Sequence, residues 1–99
     1  MYVVISKFEI ANNLVEEVRT AFVQRPHLVD SEQGFIRMEV MSPVGNQREI
    51  WLTTHWTDQA SYQNWHRSSH YHHSHHAIPK GLKLVSKSTE IKQFEVFAT

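Results

Sequence analysis

"DQASYQNWHRSSHYHHSHH", residues 58–76, contains neither glycine nor proline, and its reading decides how the rest of the chain is arranged. Thr57 ahead of it is a suitable N-cap, and Pro79 and Gly81 beyond it end a helical run, so the stretch reads as one helix. Six of the chain's eight histidines fall inside it, between His66 and His76. A purification tag would sit at a terminus. This run is internal and is broken by Tyr71 and Ser74, so it belongs to the fold.

Upstream of the helix, "REIWLTTHW" (48–56) has the β-branched and aromatic content of a strand, and "FIRMEVM" (35–41) alternates Ile36, Met38 and Val40 with Arg37 and Glu39. "SPVGNQ" between them supplies hairpin turn residues. Gly34, just before Phe35, is placed to take a positive φ. The opening stretch from Tyr2 to Ile10 reads as a strand with Val4, Ser6 and Phe8 on one side, Ser6 being the polar exception. Asn13 and Glu16 resemble a capping box, and Leu14, Val15, Val18, Ala21 and Phe22 recur at helical spacing up to Arg25, where Pro26 disfavours continuation. From Leu82 the chain is strand-like again, and in "EIKQFEVF" Ile91 and Phe97 fall on one face, Phe94 and Val96 nearer the other.

Strand, helix, strand, strand, helix, strand is the ferredoxin-like βαββαβ arrangement, an α+β fold with both helices on one face of the sheet. The hairpin strands nevertheless carry large apolar residues on both sides: Ile50, Leu52 and Trp56 on one, Trp51 on the other. A second copy of the chain is the simplest cover for the open face, giving a dimeric α+β barrel. Ninety-nine residues make one domain, 1–99, of a size at which shared burial helps.

Ten basic residues balance ten acidic ones, which removes the electrostatic footprint of a nucleic-acid partner. There is no cysteine, so disulfides and thiolates are excluded and a metal must be held by nitrogen and oxygen. "MYVVISKFEI" lacks the basic lead and apolar core of a signal peptide, and no run reaches membrane-spanning length, so the expectation is a cytoplasmic protein without a membrane partner.

On a continuous helix at about 100° per residue, Ser69, His72 and His76 project on the same side as Trp65, His75 stands about 80° away on one flank, and His66, His70 and His73 lie on the other flank. The last three read as a solvated surface. His72 and His76 have the spacing of two ligands to one divalent ion, but a zinc site wants three or four, and no third can be placed. A single helical histidine beside a bulky aromatic suits haem, which brings four nitrogens of its own and needs one protein ligand on its proximal side.

Trp65 and His75 stand ten residues apart, after "THWTDQASYQNW" and before "IPKGLKL" and a final strand. Together with "EQGFIRMEV" and the helix holding Phe22 and Arg25, this pattern resembles the antibiotic biosynthesis monooxygenase domain, and within it the small haem-degrading monooxygenases. The resemblance implies a homodimer of ferredoxin-like subunits that binds haem as substrate and cofactor, takes electrons from an external donor or reductase, and uses molecular oxygen to open the ring and free iron. It implies His75 as the haem-iron ligand and Trp65 as the tryptophan that distorts the macrocycle. Family members carry an asparagine on the first strand, and its place here falls at or near Ser6, whose shorter hydroxyl can still donate a hydrogen bond on the oxygen-binding side.

Phe22 can pack on the porphyrin or serve as ordinary core, and Arg25 can pair with a propionate or act as a helix-end cation. Trp65 alone would read as core. Two other functions fit the same pattern: cofactor-independent oxidation of a quinol or polyketide-like phenol, which needs no axial histidine, and binding of haem or metal without turnover.

Overall fold

A computed structural model describes residues 1–68, 71 and 78–99. Strand β1 (Tyr2–Glu9) leads through helix α1 (Val15–Val23) and a short 3-10 turn (Leu28–Ser31) to the hairpin of β2 (Phe35–Met41) and β3 (Glu49–Trp56). Helix α2 (Gln59–His66) and strand β4 (Glu90–Glu95) follow. The sheet is four-stranded and antiparallel throughout, in the order β2-β3-β1-β4. This is the ferredoxin-like order that the sequence predicts.

Alternation along the strands sorts the side chains. Val4, Ser6 and Phe8 on β1 share the helix side with Ile50, Leu52, Thr54 and Trp56 on β3. The apolar residues there gather into two separate clusters. At one end Val4, Val29, Trp56 and Trp65 pack with Phe35, Met38 and Tyr62. At the other, Ile10, Val18 and Ile50 pack with Phe8, Val15, Phe22 and Leu82. Ser6, opposite Leu52 on β3 and Ile91 on β4, lies between them.

Several boundaries differ from the sequence reading. Helix α1 has Leu14 at its N-cap with no side-chain cap, so Asn13 and Glu16 form no capping box. The preceding segment is tied elsewhere: the Asn12 amide donates to the Gly81 carbonyl at 2.8 Å and its own carbonyl accepts from Arg48 at 2.9 Å. The helix stops at Val23, two residues before Arg25, since the residue before a proline is pushed out of helical geometry. Helix α2 is capped by Asp58, which accepts from the Ser61 amide at 2.8 Å, and not by Thr57.

The helical run expected through His76 is interrupted. α2 ends with Arg67 as its C-cap, and the Ser68 hydroxyl donates to the Trp65 carbonyl at 2.7 Å while accepting from the Tyr71 amide at 3.2 Å. Local hydroxyl-to-backbone bonds of this kind compete with helix continuation. Angles counted from Trp65 therefore do not carry past Ser68. In β2 a bulge between Phe35 and Arg37 turns Ile36 out of the alternation and leaves it exposed. Leu84 forms a single bridge to Ile10, and continuous pairing of the last strand starts at Glu90.

Gly34 has φ +83°, and its carbonyl accepts from the Thr57 amide at 2.8 Å, locking the β2 entry onto the start of α2. A Cβ there would overlap the Ser61 side chain and lie 2.8 Å from Thr57 Oγ1. Gly45 also has a positive φ, +88°, but open space around it. In urea unfolding, Gly34→Ala is expected to cost about 2 kcal/mol or more, combining strain with overpacking, whereas Gly45→Ala carries only the backbone part, about 1 kcal/mol. Equal costs would contradict the close approach.

Candidate active site

The gap between the two clusters is a cavity of about 360 Å³, within the range of roughly 300–1,000 Å³ typical of small-molecule sites. Its wall is mostly apolar. The sheet supplies the floor through Val4, Ser6 and Phe8 of β1 and Leu52 and Thr54 of β3. α1 contributes Phe22, and α2 contributes Tyr62 and Trp65. The chain from Arg25 to Val29 and the segment around Ile78, Pro79 and Leu82 complete the rim.

Four of the five residues singled out from sequence line this one cavity: Ser6, Phe22, Arg25 and Trp65. Trp65 is 7% exposed and meets Tyr71 edge-on, with centroids 5.8 Å apart and planes at 80°. Phe22 packs against the second cluster while facing the cavity, so it is both core and wall. Ser6 is half-buried, and among the described residues nothing hydrogen-bonds to its hydroxyl. The fifth residue, His75, lies outside the described residues, as do Ser69, His70, His72, His73 and His76. Among the described residues no three histidines, aspartates or glutamates come close enough to hold a metal ion.

Arg25 lies beyond the end of α1, so it does not sit in that helix's last turn. Its guanidinium, 19% exposed, donates to Asp30 Oδ1 at 2.9 Å. His27, with a left-handed backbone (φ 57°), brings its Nδ1 to 3.3 Å from Asp30 Oδ2. The Arg25 hydrogen bond above all, with His27 helping, holds the Asp30 carboxyl below its ordinary value. A cation at the mouth of an apolar cavity suits a ligand with a greasy body and an acidic edge.

Tyr62, Tyr71, Met38, Leu52 and Thr54 also line the cavity and were not singled out from sequence. Leu52 and Thr54 share strand parity with Ile50 and Trp56, and Tyr62 lies one helical turn before Trp65, so those positions carried a signal. Burial, then the neighbouring Tyr71 and Tyr2 phenols, raises the Tyr62 pKa and keeps that group a neutral O–H. The contribution of Ile78 to Leu82 had no periodic signal.

Residues 1–77 match the family model described as antibiotic biosynthesis monooxygenase. The chain belongs to that family. A curated relative, a mycobilin-producing haem oxygenase of Mycobacterium tuberculosis, is 26% identical over 94 residues, covering 93% of this chain and 85% of the relative. The structure of the haem degrader MhuD from the same organism, with two haems in its active site, superposes with a TM-score of 0.78 at 21% identity, over 100% of this chain and 98% of that one. SnoaB of Streptomyces nogalater, a cofactor-independent oxygenase, gives 0.78 at 14% identity, over 99% and 94%. The family fold therefore accommodates both kinds of oxygenase.

Asp30 titrates below its unfolded value because of Arg25, so the pair adds stability above about pH 4 and loses it as pH falls through the lower folded value. Carboxyl-carbon NMR titration of Arg25→Ala is expected to move the Asp30 midpoint up toward the ordinary aspartate range. An unchanged midpoint would mean that Arg25 does not hold this carboxylate.

Proposed function

We propose that this chain is a haem-degrading monooxygenase, a cytoplasmic homodimer that takes haem as its substrate, oxygen as oxidant and electrons from an external donor or reductase. The observation that carries the reading is the hollow between two apolar clusters, walled by Trp65, floored by Ser6 and edged by Arg25, in a family whose curated relative is a haem oxygenase. These residues fit a flat amphiphile with acidic substituents. Haem bound there supplies both the iron that activates oxygen and the ring that is opened.

The roles follow from chemistry. His75, neutral, would hold the iron through one ring nitrogen, and a partner on its other nitrogen would set tautomer and basicity. Trp65 would press on the macrocycle, held rigid by the ring of Tyr71. Phe22 would pack on the porphyrin face and Arg25 would exchange Asp30 for a propionate. Ser6 would donate its hydroxyl proton on the oxygen side, while the apolar wall keeps bulk water away.

A homodimer is supported by the sheet face that the helices leave open. Trp51, Met41 and Phe94 stand there, and Thr53 Oγ1 and His55 Nδ1 are buried without hydrogen-bond partners among the described residues. The likeness to the cofactor-independent oxygenase SnoaB supports a second reading, oxidation of a quinol or phenol in the same cavity, and a serine at or near the place of the family's asparagine supports binding of haem without turnover.

Titration of the apo-protein with haemin is expected to give a shifted Soret band. His75→Ala should weaken binding by at least about a hundredfold, since even groups one step removed from a ligand are worth about 10–100-fold, while His72→Ala should leave it intact. Ascorbate under air should then bleach the band and release iron. Tight binding without bleaching would reduce the protein to a haem carrier; no specific band at all would leave the quinol reading.

A further inference from the structure

Thr54 is the polar member of the β3 face that looks toward the helices, where Ile50, Leu52 and Trp56 are apolar. A valine would fill the same space, so the hydroxyl asks for a reason. Part of it is Trp56. That indole is 0% exposed, and its Nε1–H donates to Thr54 Oγ1 at 2.9 Å. A buried indole N–H left without an acceptor would carry its full desolvation penalty.

The indole bond uses only a lone pair of the hydroxyl. An indole can donate and never accept, whereas a threonine hydroxyl has one proton to give as well as two lone pairs. Among the described residues no acceptor takes that proton, and the side chain lines the cavity. The anchor is itself immobile, since Phe35 and Tyr62 meet the Trp56 ring edge-on with centroids at 5.4 and 5.9 Å. Threonine's β-branching restricts χ1 as well. The oxygen is thus fixed at a defined point of the floor with an unused O–H beside the hollow.

Ser6 stands close by. Thr54 pairs with Val4 and Leu52 with Ser6 across the β1–β3 ladder, which makes Ser6 and Thr54 diagonal neighbours on one face, about 7–8 Å apart at the backbone. An oxygen atom held between them is within reach of both hydroxyls.

We infer that Thr54, aimed by Trp56, is a ligand-orienting donor that works with Ser6 to hold a carbonyl or similar oxygen of the bound molecule on the cavity floor. The inference rests on the cavity being the ligand site and concerns a quinoid occupant, since the oxygens of haem itself are the propionates assigned to Arg25. A purely structural Thr54 would serve Trp56 and touch no ligand.

Infrared difference spectra of menadione bound to the whole protein separate the two. The native protein is expected to show one quinone carbonyl band at lowered frequency; Thr54→Ser keeps it. Thr54→Val moves it part of the way back, with Ser6 still donating, and weakens menadione roughly five- to tenfold, the scale of one lost hydrogen bond. Because Thr54→Val strands the indole N–H, the double variant Thr54→Val/Trp56→Phe removes the hydroxyl without a buried orphan, and it too should show only the smaller shift. A band that keeps its full shift in the double variant, a serine variant no better than valine, or a native protein that takes up no menadione overturns the inference. Haemin titration of the same proteins keeps the two readings apart. Haemin binding with a carbonyl band indifferent to Thr54 removes only the donor, and a Thr54-dependent band without a Soret shift removes only the haem reading.

Discussion

Two short helices lie on one face of a four-stranded sheet and fail to meet in a single core. Everything functional follows from that constraint. Trp56 and Trp65 fill one end of the interlayer space, and Ile10, Val18 and Ile50 fill the other. Between them on the central strands stand Leu52 and Ser6, and the small polar serine leaves the gap open. Protein interiors normally pack to crystal-like density. A hollow of about 360 Å³ inside a chain of 99 residues is therefore a large departure, and its apolar wall makes it a place for a ligand.

The opposite sheet face obeys the same economy of residues with a different outcome. Lys7 lies over the Trp51 ring at 5.1 Å, and Arg37, Glu39 and His55 form a chain of contacts at 2.6 and 3.1 Å. Glu39 is held below its ordinary pKa chiefly by the Arg37 hydrogen bond. Long side chains thus shelter Val3 and Thr53 at the centre of a face that no helix covers among the described residues. Exposed Met41 and Phe94 beside a charged network suit the proposed self-association better than a solvent-facing sheet.

Much of this was legible in the sequence because strand parity and helical spacing are local properties. Val4, Ser6 and Phe8 sharing a face follows from strand alternation, the hairpin and Gly34's positive φ from turn-residue chemistry, and the helices of Phe22 and Trp65 sharing one layer from the order of the elements. The failures have a common cause, competition from tertiary or side-chain bonds. Asn12 is drawn to Gly81 and Arg48, and α1 begins without its capping box. Ser68 bonds the backbone on both sides and stops α2 at His66, although no glycine or proline marks the place. Arg25 finds Asp30 only because the 3-10 turn brings the chain back. Thr54's link to Trp56 needs both residues on one strand face and a wholly buried indole, which periodicity places but does not reveal.

The proposed activity requires the hollow to be the ligand's seat. A crystal structure of the protein loaded with haemin tests it most directly. The macrocycle is expected between the β1–β3 floor and Trp65, with the iron on the His75 imidazole and an acidic edge toward Arg25. A haem lodged on the open sheet face or among surface histidines, with the interlayer gap closed by protein side chains, would contradict it.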